Sequence, residues 1–247
     1  MHNIWEEHSK ICAFYSDMNH SIWKPELPGG DENLHFLADY CGVEASRIIR
    51  TVQTHSSTIR VVKDEESYKD YKDDTLSIKP DGIDGLVTDV PGILLTVLSA
   101  DCVPVLMYDP KENVIAALHS GWRGTCNKIS AKMIDIMSRE YNCMPADIRI
   151  LIGPHICGRH YEVGPELSDM FSVNFNEDEL SRIFLPAPNS KLLLDMTAAI
   201  TISCINAGVP VDNICDCGVC TYEDVSLSSY RRTGTTTDRI LTGIMLK

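Results

Sequence analysis

Three predominantly apolar runs, Ile93–Ala100, Val103–Tyr108 and Val114–Leu118, follow one another with only short polar breaks between them. Runs of about 4–8 apolar residues bounded by turn signals fit strands buried on both faces. Further strands are expected at Ile48–Val52 and Thr58–Val62, which flank Gln53-Thr54-His55-Ser56-Ser57, and at Ile148–Ile152, Lys191–Leu194, Val211–Val219 and Ile240–Leu246. Helical spacing appears in Leu34–Tyr40, ending near Gly42, and in a stretch capped by Thr125 or Asn127 that runs to Tyr141 with Ile129, Met133, Ile136 and Met137 on one face. Two more helices are expected, from Pro165 to Phe171 and from Thr197 to Ala207, the latter closed by Gly208. Pro25–Asp31 reads as a loop, Lys63–Ser77 as a solvated loop or surface helix, and Asp81–Gly85 as turn chemistry. Several strands succeed one another without an intervening helix. The pattern therefore predicts an α/β fold with mixed sheets rather than a doubly wound parallel one.

Composition narrows the class. The chain has 247 residues, 44% hydrophobic and 23% charged, which is ordinary for a globular protein with a sizeable core. No fixed repeat, low-complexity tract or linker divides it, so one domain over residues 1–247 is expected. The formal net charge of −13 disfavours nucleic acid and anionic membranes as partners, while a few arginines can still form a local anion pocket. Asp101 and Pro104 interrupt the longest apolar stretch, so no membrane span is expected. Met1–Lys10 carries no apolar segment of the signal-peptide kind, and the expected location is cytoplasmic. In that compartment the ten cysteines read as reduced thiols or metal ligands rather than a disulfide framework.

The candidate chemistry gathers at the ends of the central runs. Ala100-Asp101-Cys102-Val103-Pro104 and His119-Ser120-Gly121-Trp122-Arg123-Gly124 place a thiol and an imidazole next to turn residues. With His55 they form a His, Cys, His set, and three such ligands leave a fourth position open, the catalytic pattern for zinc. Thiolate and imidazole together suit zinc or copper. The same residues also fit a buried thiol with two satisfied core histidines, or a nucleophilic Cys102–His119 pair oriented by Asp101 or His55. Arg123 can hold a phosphate or carboxylate bidentately, or form a surface ion pair. Trp122 reads as a packing residue or as a wall for a flat ring. Cys215, Cys217 and Cys220 read as free thiols on and beside a strand, with a second metal or a redox pair as the alternative. Alternation puts Cys215 and Cys217 on one face. His155, Cys157 and His160 surround Gly153-Pro154 and Gly158, either lining the same cleft or lying in a loop.

Taken together, Gln53-Thr54-His55, Asp84–Thr88, Ala100–Pro104, His119–Gly124, Gly153-Pro154, Tyr161-Glu162-Val163-Gly164, Leu194-Asp195, Cys220-Thr221 and Ser229-Tyr230-Arg231-Arg232 resemble the YfiH family, also called the multicopper polyphenol oxidase or laccase-domain family. The resemblance covers residues 48–247, and residues 1–45 match weakly. It implies a single domain of layered mixed β-sheets flanked by helices, and a zinc site made by His55, Cys102 and His119, with copper as the other attributed metal. It also implies phosphorolysis of adenosine, inosine, guanosine and S-methyl-5′-thioadenosine, with deamination of adenosine. The partners would then be a purine nucleoside and inorganic phosphate. The chain departs from the family pattern at His160, where many members have Cys, at Thr237-Asp238-Arg239, and in carrying Cys215 and Cys217.

For a nucleoside enzyme, Arg123 and Arg232 are the candidates for holding phosphate, with Tyr230 contacting the substrate beside them. Asp101 or Glu162 is the carboxylate that would stabilise an oxocarbenium-like ribosyl centre. A cysteine or metal-dependent amidase acting on a peptidoglycan precursor through Cys102 ranks next. A copper polyphenol oxidase ranks lower, because eight histidines and no His-X-His pair do not supply a coupled copper cluster. A metal-binding domain without catalysis completes the set.

Overall fold

A computed structural model describes residues 1–5, 8–18, 30–63, 82–235 and 238–247. Segment 64–77, most of the expected Pro25–Asp31 loop, Asp81 and Thr237 lie outside the described residues. One five-stranded sheet has the order β1 (His2–Asn3), β2 (Ile11–Tyr15), β14 (Ile240–Leu246), β6 (Leu94–Ser99), β3 (Ile48–Ile49). It is antiparallel except for the β3–β6 pair. A six-stranded sheet has the order β13 (Ile214–Asp216), β9 (Arg149–Ile152), β7 (Val103–Asp109), β8 (Val114–Ser120), β5 (Gly85–Thr88), β4 (Ile59–Val62), with parallel pairs only at its two edges. A small antiparallel sheet joins β10 (Glu162–Val163), β12 (Lys191–Leu194) and β11 (Phe184–Ala187).

The two large sheets lie face to face, and side-chain alternation sorts the core into layers. Leu106, Tyr108, Ile115 and Ala117 point into the intersheet layer with Leu95, Val97 and Ile244. Their neighbours Val103, Val105, Met107, Val114, Ala116 and Leu118 point the other way. There they meet Ile129, Met133 and Met137 of α3 (Ile129–Tyr141), together with Ala199 and Ile200 of α6 (Met196–Asn206). The outer face of the five-stranded sheet is covered by Leu34, Leu37 and Ala38 of α1 (Gly30–Cys41). Every residue of β7 and β8 is therefore buried, which is why these strands read as unbroken apolar runs. Each fully buried Leu, Ile or Val contributes about 1.5–3 kcal/mol. The result is a single mixed α/β domain, as the strand succession implied. Among the described residues no helix is long and apolar enough to cross a membrane.

Several local expectations change. The strand expected over Ile48–Val52 stops at Ile49, because the chain then leaves the sheet for the crossing that carries His55. The single helix expected up to Tyr141 is two, α2 (Trp122–Cys126) and α3, separated by Lys128 in a left-handed conformation with φ 54°. Val211–Val219 shrinks to a short 3-10 turn and β13. The Ser229–Arg232 motif forms a short helix, α7 (Tyr230–Thr233), whose first turn is capped by Ser229. Between them lie α4 (Glu166–Phe171), as expected, and α5 (Glu177–Ile183), which begins with a capping box formed by Asn176 and Glu179.

Candidate active site

Two connections between the large sheets build the site. The first runs from β3 to β4 and carries Gln53 and His55. The second runs from β6 to β7 and carries Asp101 and Cys102. Gln53 extends the sheet with its side chain: its amide donates to Leu98 O at 2.6 Å, and its carbonyl accepts from Leu98 N at 2.7 Å. Both crossings contain a non-glycine residue at positive φ, His55 at 59° and Asp101 at 88°. Such backbone is costly and persists where the surroundings over-determine it. His119 comes from β8, one residue before its end, opposite Pro104 of β7.

Asp84 ties these pieces together. It is fully buried, and its Oδ1 accepts from His119 Nδ1 at 2.8 Å and from the His55 N–H at 3.1 Å. Its Oδ2 accepts from the Ser56 N–H at 2.7 Å and the Ser56 hydroxyl at 2.6 Å. With Nδ1 engaged by a carboxylate, His119 keeps Nε2 for a ligand role, the arrangement that orients metal-binding imidazoles. Donor atoms of His55, Cys102 and His119 lie within 4.8 Å of one another. The His55 and His119 rings meet edge to face with centroids 4.9 Å apart. Gly121 closes the cradle. A Cβ there would stand 2.8 Å from the His55 ring and 3.1 Å from Cys102 Sγ, so no side chain fits.

Electrostatics match a site for a cation. Burial works against a charged Cys102, yet hydrogen bonds and positive charge from His119 and His55 bring its thiol down to about 6. Burial likewise opposes a charged His119, but Asp84 and Cys102 raise it to about 9. Asp84 resists its own burial through the hydrogen bonds of His119 and Ser56, which hold its carboxyl below the usual range. The donor set fits a borderline-soft ion, with three protein ligands and one open tetrahedral position.

The three ligands lie in the wall of a cavity of about 690 Å³, within the usual range for small-molecule sites. Arg50, Arg123, Arg231 and Arg239 line it, and among the described residues Asp101 is the only acidic one in its wall. Trp122, Tyr161 and Tyr230 supply flat apolar surface. Arg123 lies over the Trp122 ring at 4.2 Å, and Arg231 over Tyr161 at 5.1 Å. Burial and the neighbouring Cys102 raise the Tyr161 hydroxyl to about 12, so it remains a neutral donor.

Not every expected residue is in place. Arg232 is absent from the cavity wall. Its guanidinium donates to the carbonyls of Thr221, Tyr222, Asp224 and Leu227. Arg231, one residue earlier, faces the cavity instead. Asp101 reaches the wall, but Oδ1 accepts from the Thr221 hydroxyl at 2.6 Å and Oδ2 from the Arg231 N–H at 2.6 Å. Glu162 lies outside the wall, and its carbonyl accepts from the Arg231 guanidinium. His155, Cys157 and His160 also lie elsewhere, although Ile156 between them reaches the cavity. Cys215 is exposed, and Cys217 follows β13 rather than extending it. The sequence alone assigns no role to Arg50, Tyr161, Arg239 or Asp84, although Tyr161, Arg239 and Asp84 stand in the motifs quoted above.

Residues 15–247 match the family model described as multi-copper polyphenol oxidoreductase laccase. The chain belongs to this family. Among laccase-domain relatives it is 32% identical over 213 residues to "Adenosine deaminase RL5" from an unknown prokaryotic organism, covering 85% of this chain and 79% of the relative. It is 33% identical over 220 residues to "Purine nucleoside phosphorylase CA_C1699" of Clostridium acetobutylicum, covering 88% and 84%. The crystal structure of the Bacillus licheniformis hypothetical protein YfiH superposes with a TM-score of 0.87 at 28% identity, covering 98% of this chain and 95% of that one. YlmD from Geobacillus stearothermophilus also gives 0.87, at 25% identity, covering 98% and 94%.

Proposed function

We propose that this laccase-domain protein is a metal-dependent purine nucleoside enzyme that cleaves nucleosides with inorganic phosphate and deaminates adenosine. The observation that carries this reading is the open His55–Cys102–His119 set at the wall of a cavity lined by Arg50, Arg123, Arg231 and Arg239. The names of the relatives supply the substrate class. Zinc is the ion the donor set favours, and when bound it supplies a Lewis acid and a water of lowered pKa.

The protein's own residues divide the remaining work. Asp84 fixes the His119 tautomer and, through the His55 and Ser56 N–H groups, the loop that presents His55. Arg123 and Arg231 hold phosphate, taking the role that sequence alone gave to Arg232. Trp122 and Tyr230 flank the purine. Asp101 stabilises positive charge developing on the ribosyl ring. Its Thr221 and Arg231 hydrogen bonds fix the carboxylate at the cavity wall. The substrates in view are adenosine, inosine, guanosine and S-methyl-5′-thioadenosine.

The test is hypoxanthine release from inosine with and without inorganic phosphate, together with inosine formation from adenosine. Phosphate-dependent release that disappears in His55→Ala, Cys102→Ala and His119→Ala supports the reading. Equal turnover in all three variants overturns it. Cys102 as the nucleophile of an amidase predicts the opposite chelator response: activity that survives metal removal and dies on thiol alkylation.

A further inference from the structure

A second set of metal-type donors lies outside the cavity. Cys157, His160, Cys220 and Glu223 bring one donor atom each within 4.8 Å of one another. They come in two pairs with the same spacing, Cys157-X-X-His160 and Cys220-X-X-Glu223. Each pair sits on a tight turn, closed by His160 N–H to Cys157 O at 3.0 Å and by Glu223 N–H to Cys220 O at 3.2 Å. A parallel bridge between His155 and Cys220 locks the two turns side by side. Paired ligands with two residues between them, on facing turns, are a recurrent way to build a closed structural zinc site.

The separations of the other three donors from His160 have the size a tetrahedral ion requires. Metal–ligand distances of about 2.0–2.3 Å give tetrahedron edges of about 3.3–3.8 Å. His160 Nδ1 lies 3.3 Å from Cys157 Sγ, 3.8 Å from Cys220 Sγ and 3.5 Å from Glu223 Oε1. The surroundings are those of a supported ligand set. Tyr222 stacks on the His160 ring at 4.7 Å and fixes its plane. The Cys157 N–H donates to Cys220 Sγ at 3.4 Å, as outer hydrogen bonds to ligating sulfur do. Cys220 is buried, Cys157 and His160 are half-buried, and Glu223 closes the solvent side, held by Arg159 at 2.8 Å.

We propose that Cys157, His160, Cys220 and Glu223 form a second, structural metal centre that takes zinc. All four positions of the ion are filled by protein, so the centre binds no substrate. Its place in the fold gives it a purpose. The turn 220–223 carries Thr221, whose hydroxyl holds Asp101, and the turn 157–160 follows Ile156, whose N–H donates to Asp101 O at 3.1 Å. An ion that staples the two turns therefore fixes the crossing that carries Cys102, from behind the cavity wall.

The test uses Cys102→Ala as background, where thiolate–metal signals from the cavity site are removed. Cobalt(II) added to the chelator-stripped Cys102→Ala protein is expected to give a thiolate-to-cobalt charge-transfer band that weakens when Cys157→Ala is added. In the otherwise unchanged protein, zinc content by plasma mass spectrometry is expected to fall by one ion per chain in Cys157→Ala and Cys220→Ala. Glu223→Ala alters an exposed side chain and serves if the buried variant misfolds: it should release this zinc more readily to a chelator. No cobalt band in the Cys102→Ala protein, or unchanged zinc content in Cys157→Ala, overturns the proposal. So does an intact mass showing a Cys157–Cys220 disulfide in the protein as purified. None of these readouts depends on nucleoside turnover.

Discussion

The two cysteine–histidine clusters use the same donor chemistry and are built in opposite ways. At the cavity, His55, Cys102 and His119 arrive from two sheet crossings and a strand end, and a buried carboxylate, Asp84, stands behind them. At the other cluster the ligands arrive in local pairs from two turns, with a fourth donor on the solvent side. The first spends the framework of two sheets on leaving one position open; the second needs only two turns to fill all four. Openness, which catalysis requires, demands long-range support, whereas closure can be local.

Removing a ligand at each cluster separates the two roles most sharply. Cys102→Ala is expected to bring phosphate-dependent inosine cleavage to background, with a fall in melting temperature set by the loss of its own ion. Cys157→Ala is expected to leave turnover measurable and lower the melting temperature by roughly 5–10 °C, since a site loaded to a hundred times its Kd adds about 2.7 kcal/mol. Equal effects of the two on both readouts would erase the distinction. Next in size is the carboxylate behind the cavity ligands. Asp84→Asn should weaken metal binding there by ~10–100-fold and leave the other ion in place, read by competition with a chelator of known affinity. Parallel loss of both ions would mean that Asp84 supports the fold and not one site.

Acidity sharpens the comparison further. In chelator-treated protein the Cys102 thiol is held near 6, so its thiolate forms as pH rises through that value. Burial and Cys220 raise the Cys157 thiol above the ordinary 9.0. Iodoacetamide at pH 7 should therefore label Cys102 before Cys157 in peptide mapping, and the reverse order would contradict the assignment. The smallest effect concerns the anion. Arg231→Ala is expected to raise the KM for phosphate about tenfold, the equivalent of ~1.4 kcal/mol. Arg232→Ala should instead lower thermal stability, because its guanidinium gathers four carbonyls.

The contrast also explains what was legible in the sequence. Cys102 and His119 stood out because a reactive group closes or opens an apolar run whose both faces are buried, and a fully buried strand announces itself. The mixed α/β class followed from strands in succession. Strand β2, Ile11–Tyr15, is a short apolar run of the same kind, but it stands alone near the start of the chain and its partner β14 lies at the far end. The second cluster was invisible because 60 residues separate Cys220 from His160, and only the bridge at His155 brings them together. Arg231 and Arg232 could not be told apart in the sequence. Which of two adjacent guanidiniums faces a cavity is decided by the capped turn at Ser229, not by residue type.

The central place of β14 in the five-stranded sheet has a consequence for biosynthesis. Strand β2 pairs with β14 on its inner side, and Leu241 N–H reaches back across 225 residues to the hydroxyl of Ser16. While the ribosome is still making the middle of the molecule, β2 and β6 already exist but lack the strand that joins them. At ~5–20 residues per second that interval lasts on the order of ten seconds. Throughout it, two apolar strands offer open edges to other chains. The nascent protein is thus most exposed to aggregation just before residues 240–246 emerge, and their arrival completes the sheet in a single late step.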